Sequence, residues 1–288
     1  MRESLDPEAN RKMVFKAGES QGKSGSFFFF SKDQRFIIKT MTDDDFDAWC
    51  RIQKHYFKHV QTNENSLLAR VYGVYSIRME DQKPVKLVVM ENGIRGAKRE
   101  DILGIFDLKG SMVNRLVKGS DIKPTATVKD QNLLAKNKKQ IWLRFRDIDR
   151  RRILSVMARD VSLLKEYNLM DYSLLLCIQE NPEYMLARNN RDTNSSMAFS
   201  SRRSVDSSTR LQIREKFEGS RHKFLSTCGR YIYHIGLIDY LQDFNFDKKG
   251  ENLLKQRILG KGEGISAVHP RKYADRFVRF MRDHVIID

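Results

Sequence analysis

A chain of 288 residues with 40% hydrophobic content, seventeen Phe and ten Tyr can bury one large domain or two lobes sharing a cleft. Its 53 Lys and Arg outnumber 37 Asp and Glu, a net charge of +16 that draws the protein towards nucleic acid, an anionic membrane or a phosphorylated substrate. No apolar run approaches the ~20 residues that cross a bilayer, and the polar stretch from Met1 to Asn10 is unlike a signal peptide. Cys50, Cys177 and Cys228 lack paired spacing, so neither a disulfide framework nor a zinc site is indicated and a cytosolic setting is expected.

Residues 26 to 94 read as strand-rich. Phe27 to Phe30, the polar turn Ser31-Lys32-Asp33-Gln34, and Arg35 to Met41 have the pattern of a β-hairpin. A helix is predicted from Asp45 to Val60, where Phe46, Trp49, Ile52, Tyr56 and Val60 fall at helical spacing. Val71 to Ile77 and Val85 to Met90 read as further strands. Phe145, Ile148, Ile153, Val156, Met157, Val161 and Leu164 predict one face of a long helix. Ser173 to Gln179 and Tyr231 to Leu241 read as apolar strands, and a last helix is predicted after Pro270. Between them, Arg188 to Arg221 is rich in Ser, Arg, Asn and Thr. It lacks the apolar surface to offset its ordering entropy and is expected to be a mobile insertion.

Five short segments carry chemistry. Gly18-Glu19-Ser20-Gln21-Gly22-Lys23-Ser24-Gly25-Ser26 has three residues between its first two glycines where a Walker A loop has four, yet such a turn can lay backbone N–H groups over phosphates. Lys39 follows on an alternating strand, where a kinase needs a lysine for ATP phosphates. Asp107-Leu108-Lys109-Gly110-Ser111, running on to Arg115, makes a compact charged turn. Asp171 sits between a long helix and an apolar strand, well placed to orient a hydroxyl nucleophile. Asp239 lies inside an apolar segment, where a lone acid is costly unless a cation compensates it; a divalent metal on ATP would do so.

In this order the segments Ser24-Gly25-Ser26-Phe27-Phe28, Phe36-Ile37-Ile38-Lys39-Thr40, Asp107-Leu108-Lys109-Gly110-Ser111, Met170-Asp171-Tyr172-Ser173-Leu174-Leu175 and Gly236-Leu237-Ile238-Asp239 resemble the signature set of the phosphatidylinositol phosphate kinases, and most closely the type I 4-phosphate 5-kinases. The resemblance runs from about Gly18 to Met281. It implies a two-lobed, kinase-like α+β fold with antiparallel sheets and flanking helices. The N-terminal lobe would span 1–94 and the C-terminal lobe 95–288, with the insertion at 188–221 and an activation segment at 243–269. It further implies ATP and Mg2+, held by Ser24, Gly25, Ser26 and Phe27 of the phosphate loop and by Lys39. Val89, Met90 and Asn92 would form the hinge beside the adenine, and Asp239 would be the metal ligand. Asp171, Lys39 and Lys109 would be catalytic, with Asp107 bracing the cleft on the substrate side.

The same resemblance sets Lys248 and Lys249 against anionic lipid. The 4-phosphate 5-kinases carry glutamate at the position of Glu251 and the 5-phosphate 4-kinases alanine; an acid there could hold Arg115 to meet the inositol phosphate. The expected partners are therefore a phosphatidylinositol monophosphate and an anionic membrane, with the protein peripheral on a cytosolic face, that of the plasma membrane above all. Two departures stand out. Kinases pair the strand lysine with a helix glutamate, whereas Asp43 to Asp47 offers only aspartates: either Asp44, Asp45 or Asp47 could substitute, or the pairing forms only on activation. The family also carries a longer N-terminal extension with dimer-forming strands, so a trimmed chain and oligomerisation through the missing part are expected. A protein kinase is disfavoured by the missing His-Arg-Asp and Asp-Phe-Gly motifs. Nucleic-acid binding is disfavoured by the lack of a recognition helix, zinc finger or RNA-binding aromatic signature.

Overall fold

The computed structural model describes residues 3–6, 8, 10, 27–119, 121–140, 143–193, 211–212, 215–244 and 269–288. The predicted hairpin forms from β1 (Phe28–Phe30) and β2 (Phe36–Met41), with Phe28 opposite Lys39. Its turn is closed by Ser31, whose hydroxyl accepts from the Phe36 amide and donates to Asp33. Thr42 caps the next element, α1 (Asp43–Thr62), in a reciprocal box with Asp45. Helical spacing then buries Ala48, Trp49, Ile52 and Tyr56. Strands β3 (Val71–Ile77) and β4 (Val85–Glu91) complete an antiparallel sheet of order β1-β2-β4-β3.

A five-stranded sheet follows. Its strands are β5 (Ile102–Leu108), β6 (Thr127–Lys129), β8 (Ser173–Glu180), β9 (Lys223–Leu225) and β10 (Tyr231–Ile238), in the order β6-β5-β8-β10-β9. Every pairing is antiparallel except β5 with β6, which is parallel. Two short strands, β7 (Leu169–Met170) and β11 (Gln242–Asp243), pair separately. The helices are α2 (Asp130–Gln140), α3 (Asp147–Glu166), α4 (Pro182–Thr193) and α5 (Pro270–Phe280), the last running into a π-helical turn, Met281–Val285. The expected α+β fold with antiparallel sheets and flanking helices is thus present.

One buried apolar cluster joins Trp49 and Ile52 of α1, Leu67 and Leu68 of the linker between α1 and β3 (63–70), Val156 and Met157 of α3, and Phe277 of α5. The linker is pinned by polar contacts as well. The Ala69 amide donates to the Leu237 carbonyl at 2.9 Å and the Leu237 amide to the Leu67 carbonyl at 2.7 Å. Asp160, fully buried in α3, accepts from the Leu67 amide at 2.7 Å and meets the His59 ring at 2.6 Å. A buried carboxylate is tolerable only with such partners. Among the described residues no helix is long and apolar enough to cross a membrane.

Four sequence expectations change. Ile148 is 68% exposed, because five helical residues rotate it about 140° away from Ile153. Phe145 is buried but precedes α3, bridging to Ser226. The strand predicted from Tyr231 to Leu241 stops at Ile238 and pairing resumes only at Gln242. Finally, the expected insertion is ordered at both ends: α4 runs to Thr193, Lys216 pairs with Glu183, and Arg221 pairs with Glu91. Residues 194–210 and 213–214 lie outside the described residues.

Candidate functional site

The two aspartates singled out in the sequence lie at one break between two ladders. Ser173 of β8 opposes Ile238 of β10, and Met170 of β7 opposes Gln242 of β11. Between these pairs Asp171-Tyr172 on one side and Asp239-Tyr240-Leu241 on the other leave regular pairing. Both aspartates adopt left-handed backbone, with φ of 62° at Asp171 and 57° at Asp239. Aspartate enters this region more readily than most residues, but it still costs about 1–3 kcal/mol, and such strain clusters at functional sites.

Two lysines reach the same break. Leu108 opposes Leu174, so Lys109 leaves β5 beside Asp171, and its Nζ sits 3.0 Å from Asp171 Oδ2. Lys39, opposite Val88 on β2, donates from Nζ to Asp239 Oδ1 at 2.8 Å and also lies 5.2 Å from the centre of the Phe28 ring. The side chains of Asp239 and Asp171 remain 43% and 29% exposed, so each carboxylate keeps open surface for a further ligand. The lone acid of the apolar segment is therefore compensated by Lys39. Two acids of α1 are engaged elsewhere, Asp45 in the cap and Asp43 with Lys86, while Asp44 and Asp47 are exposed. None of those that could substitute for the helix glutamate is paired with Lys39.

The break is buttressed from behind. Tyr172 meets Tyr273 and Phe277 of α5 edge-on, with ring centres 4.8 and 5.0 Å apart, and the Tyr273 hydroxyl donates to the Tyr172 carbonyl. Burial, with the nearby Asp171 and Tyr172, holds the Tyr273 phenol well above its ordinary pKa, so it stays a donor. After Asp239, Tyr240 donates to the Ala69 carbonyl at 2.6 Å and stacks on Tyr56.

Arg115, expected to meet an inositol phosphate, is paired within the chain. It is buried, its Nε donates to Asp130 Oδ2 at 2.6 Å and its Nη2 to Asp107 Oδ1 at 2.9 Å. Burial opposes its charge, but the Asp107 and Asp130 carboxylates outweigh that and raise its pKa. Asp130 also accepts from the Lys109 and Gly110 amides at 3.0 and 2.9 Å. It is the organiser of this turn that sequence reasoning missed; a lone acid opening a helix gives no signal of its own.

Of the hinge residues, Val89 is buried in β4 and Met90 half-buried beside it. The Asn92 side chain is spent within the chain, donating to the Gln34 carbonyl and accepting from the Ile94 amide. Glu91 between them, also missed, gathers Arg221 and His222. Burial alone would raise its pKa, but the His222 hydrogen bond and charge, together with Arg221, pull it down to about 2. Phe27 is exposed at the entry to β1. Ser24, Gly25, Ser26, Lys248, Lys249 and Glu251 lie outside the described residues. No group of three metal-ligating side chains occurs among the described residues. The exposed carboxylate of Asp239 offers hard oxygens to a divalent cation whose remaining ligands come from outside the chain.

Comparison with known proteins gives the family. Residues 9–284 match the phosphatidylinositol-4-phosphate 5-kinase family. Phosphatidylinositol 4-phosphate 5-kinase its3 of Schizosaccharomyces pombe is 30% identical over 322 residues, covering 95% of this chain and 42% of its own. Phosphatidylinositol 4-phosphate 5-kinase 6 of Arabidopsis thaliana is 31% identical over 294 residues, covering 91% and 40%. The human type-1 alpha enzyme is 29% identical over 278 residues, covering 91% and 48%. The chain belongs to the phosphatidylinositol phosphate kinase family, and its fold is the kinase-like fold of that family. It spans less than half the length of these three relatives.

Proposed function

We propose that the chain transfers the γ-phosphate of ATP to the 5-hydroxyl of phosphatidylinositol 4-phosphate. The observation that carries this is the meeting of Lys39 with Asp239 and of Lys109 with Asp171 at one ladder break. Phosphoryl transfer needs that set: cations for phosphate oxygens, a carboxylate for the metal and a carboxylate for the attacking hydroxyl. Lys39 would draw the phosphates over Asp239. Asp171, held by its strained backbone and by Lys109, would accept a hydrogen bond from the inositol hydroxyl and take its proton as the bond to phosphorus forms. Mg2+ on ATP would neutralise charge on the phosphate oxygens, with Asp239 as its protein ligand.

The lipid substrate is supported by family membership, and the 5-hydroxyl by the names of the relatives and by Glu251. Lys248 and Lys249 would bring the site to an anionic membrane on the cytosolic face, the plasma membrane first among them. A weakly active phosphoinositide-binding scaffold is the second reading, favoured by one observation: Lys39 has no α1 carboxylate and engages Asp239 instead. Incubation with γ-labelled ATP, Mg2+ and vesicles bearing each phosphatidylinositol monophosphate in turn tests this, with positional analysis of the product. The 4,5-bisphosphate is expected from the 4-phosphate; no labelled lipid from any isomer would favour the scaffold.

A further inference from the structure

The turn after Lys109 exposes apolar side chains from a backbone that is firmly held. Gly110, at φ 65°, abuts α5: a Cβ there would lie 3.1 Å from Phe280 Cβ and 3.2 Å from Phe277 Cα. Gln131 donates to the Met112 carbonyl through its side chain and to the Arg115 carbonyl through its backbone. Asn132 closes the far end, accepting from the Val117 amide and donating to the Val117 carbonyl, both at 2.9 Å. Arg115 and Val117 point inward, onto Asp130 and onto the core. Met112, Val113 and Leu116 are left 40–47% exposed.

With its backbone bonded at Met112, Arg115 and Val117, the loop presents these three side chains outward, and their apolar surface stays in water unless something apolar covers it. We infer that Met112, Val113 and Leu116 form a wedge that enters the interfacial zone of an anionic bilayer beside the active site. Two features select a membrane as the occupant. The segment after Val117 and α5 expose, among their described residues, Lys118, Lys123, Arg271, Lys272 and Arg279 against Asp121 and Asp275, the combination of apolar tips and basic flanks that suits an anionic surface. The loop also begins at Lys109, which touches Asp171, so a head group there remains tethered to acyl chains that must stay in the bilayer. The inference rests on the lipid-kinase reading for this second feature.

The test is co-sedimentation of wild type and the triple variant Met112→Ser, Val113→Ser, Leu116→Ser with phosphatidylcholine vesicles containing phosphatidylserine. All three positions are exposed, so the fold should survive. The variant should partition at least tenfold more weakly and lose the binding that wild type keeps in high salt, where the basic flanks are screened. Its rate on a monodisperse short-chain phosphatidylinositol 4-phosphate should stay within twofold of wild type. Equal partitioning of the two proteins, or a variant slowed equally on the short-chain acceptor, would overturn the wedge and leave the patch to a protein partner or to the active site itself. If wild type phosphorylates neither vesicle-borne nor short-chain lipid, the catalytic reading fails, while partitioning still decides the wedge.

Discussion

Lys39 Nζ reaches Asp239 Oδ1 at 2.8 Å across 200 residues of sequence. The pair joins a strand of the four-stranded sheet to the point where β10 breaks, and both members act on the same metal–triphosphate unit in the proposed reaction.

Replacing either charge should therefore disable turnover without unfolding the chain. Lys39→Met and Asp239→Asn are each expected to lower lipid phosphorylation by about 10²-fold or more, because one lost charge-stabilising group removes several kcal/mol of barrier reduction. Asn tolerates the left-handed backbone at position 239. Single-turnover rates on proteins with matched thermal melts check this.

Asp130 is expected to matter for stability. Its loss leaves the buried Arg115 guanidinium with Asp107 alone and strands the Lys109 and Gly110 amides. Asp130→Ala should lower unfolding free energy by about 3–5 kcal/mol, as for removal of one partner of a buried ion pair. Urea titration of the variant beside wild type measures it.

How much of this was legible in sequence depends on whether a residue carried its own context. Lys39, Lys109, Asp171 and Asp239 stood in ordered motifs with apolar neighbours, and the structure brings them to one break. Asp130 and Glu91 gave no signal because their partners, Arg115 and Arg221, are distant in sequence and close only in the fold. Arg221 was hidden inside a Ser- and Arg-rich stretch whose composition speaks against burial. Ile148 was misplaced because an apolar residue at a helix start can satisfy a list of apolar positions without sharing their face.

Glu91 predicts an acid limb in stability. Its folded pKa of about 2 lies below the ordinary 4.5, so its contribution is complete above about pH 4.5 and disappears as pH falls towards 2. The contribution is on the order of 3 kcal/mol. In Glu91→Gln the drop across that window should be shallower by this amount, read as the difference between the two proteins' urea midpoints at each pH.

Glu251 carries the specificity argument. Glu251→Ala should weaken use of phosphatidylinositol 4-phosphate and raise relative activity on the 5-phosphate isomer, because specificity is a difference between two affinities. A change in the rate ratio of about tenfold is expected for a desolvated contact, against less than about 1 kcal/mol for a rim ion pair. An unchanged ratio would remove the residue-level support for a 5-kinase.

The most direct measurement is the turnover of Asp171→Asn at saturating lipid, taken together with its affinity for ATP. Asn keeps the left-handed backbone and the size of the side chain but cannot take a proton from the inositol hydroxyl. The account predicts a fall in kcat of about 10²-fold or more with the ATP Kd within about threefold of wild type. Turnover close to wild type in the folded variant would contradict it.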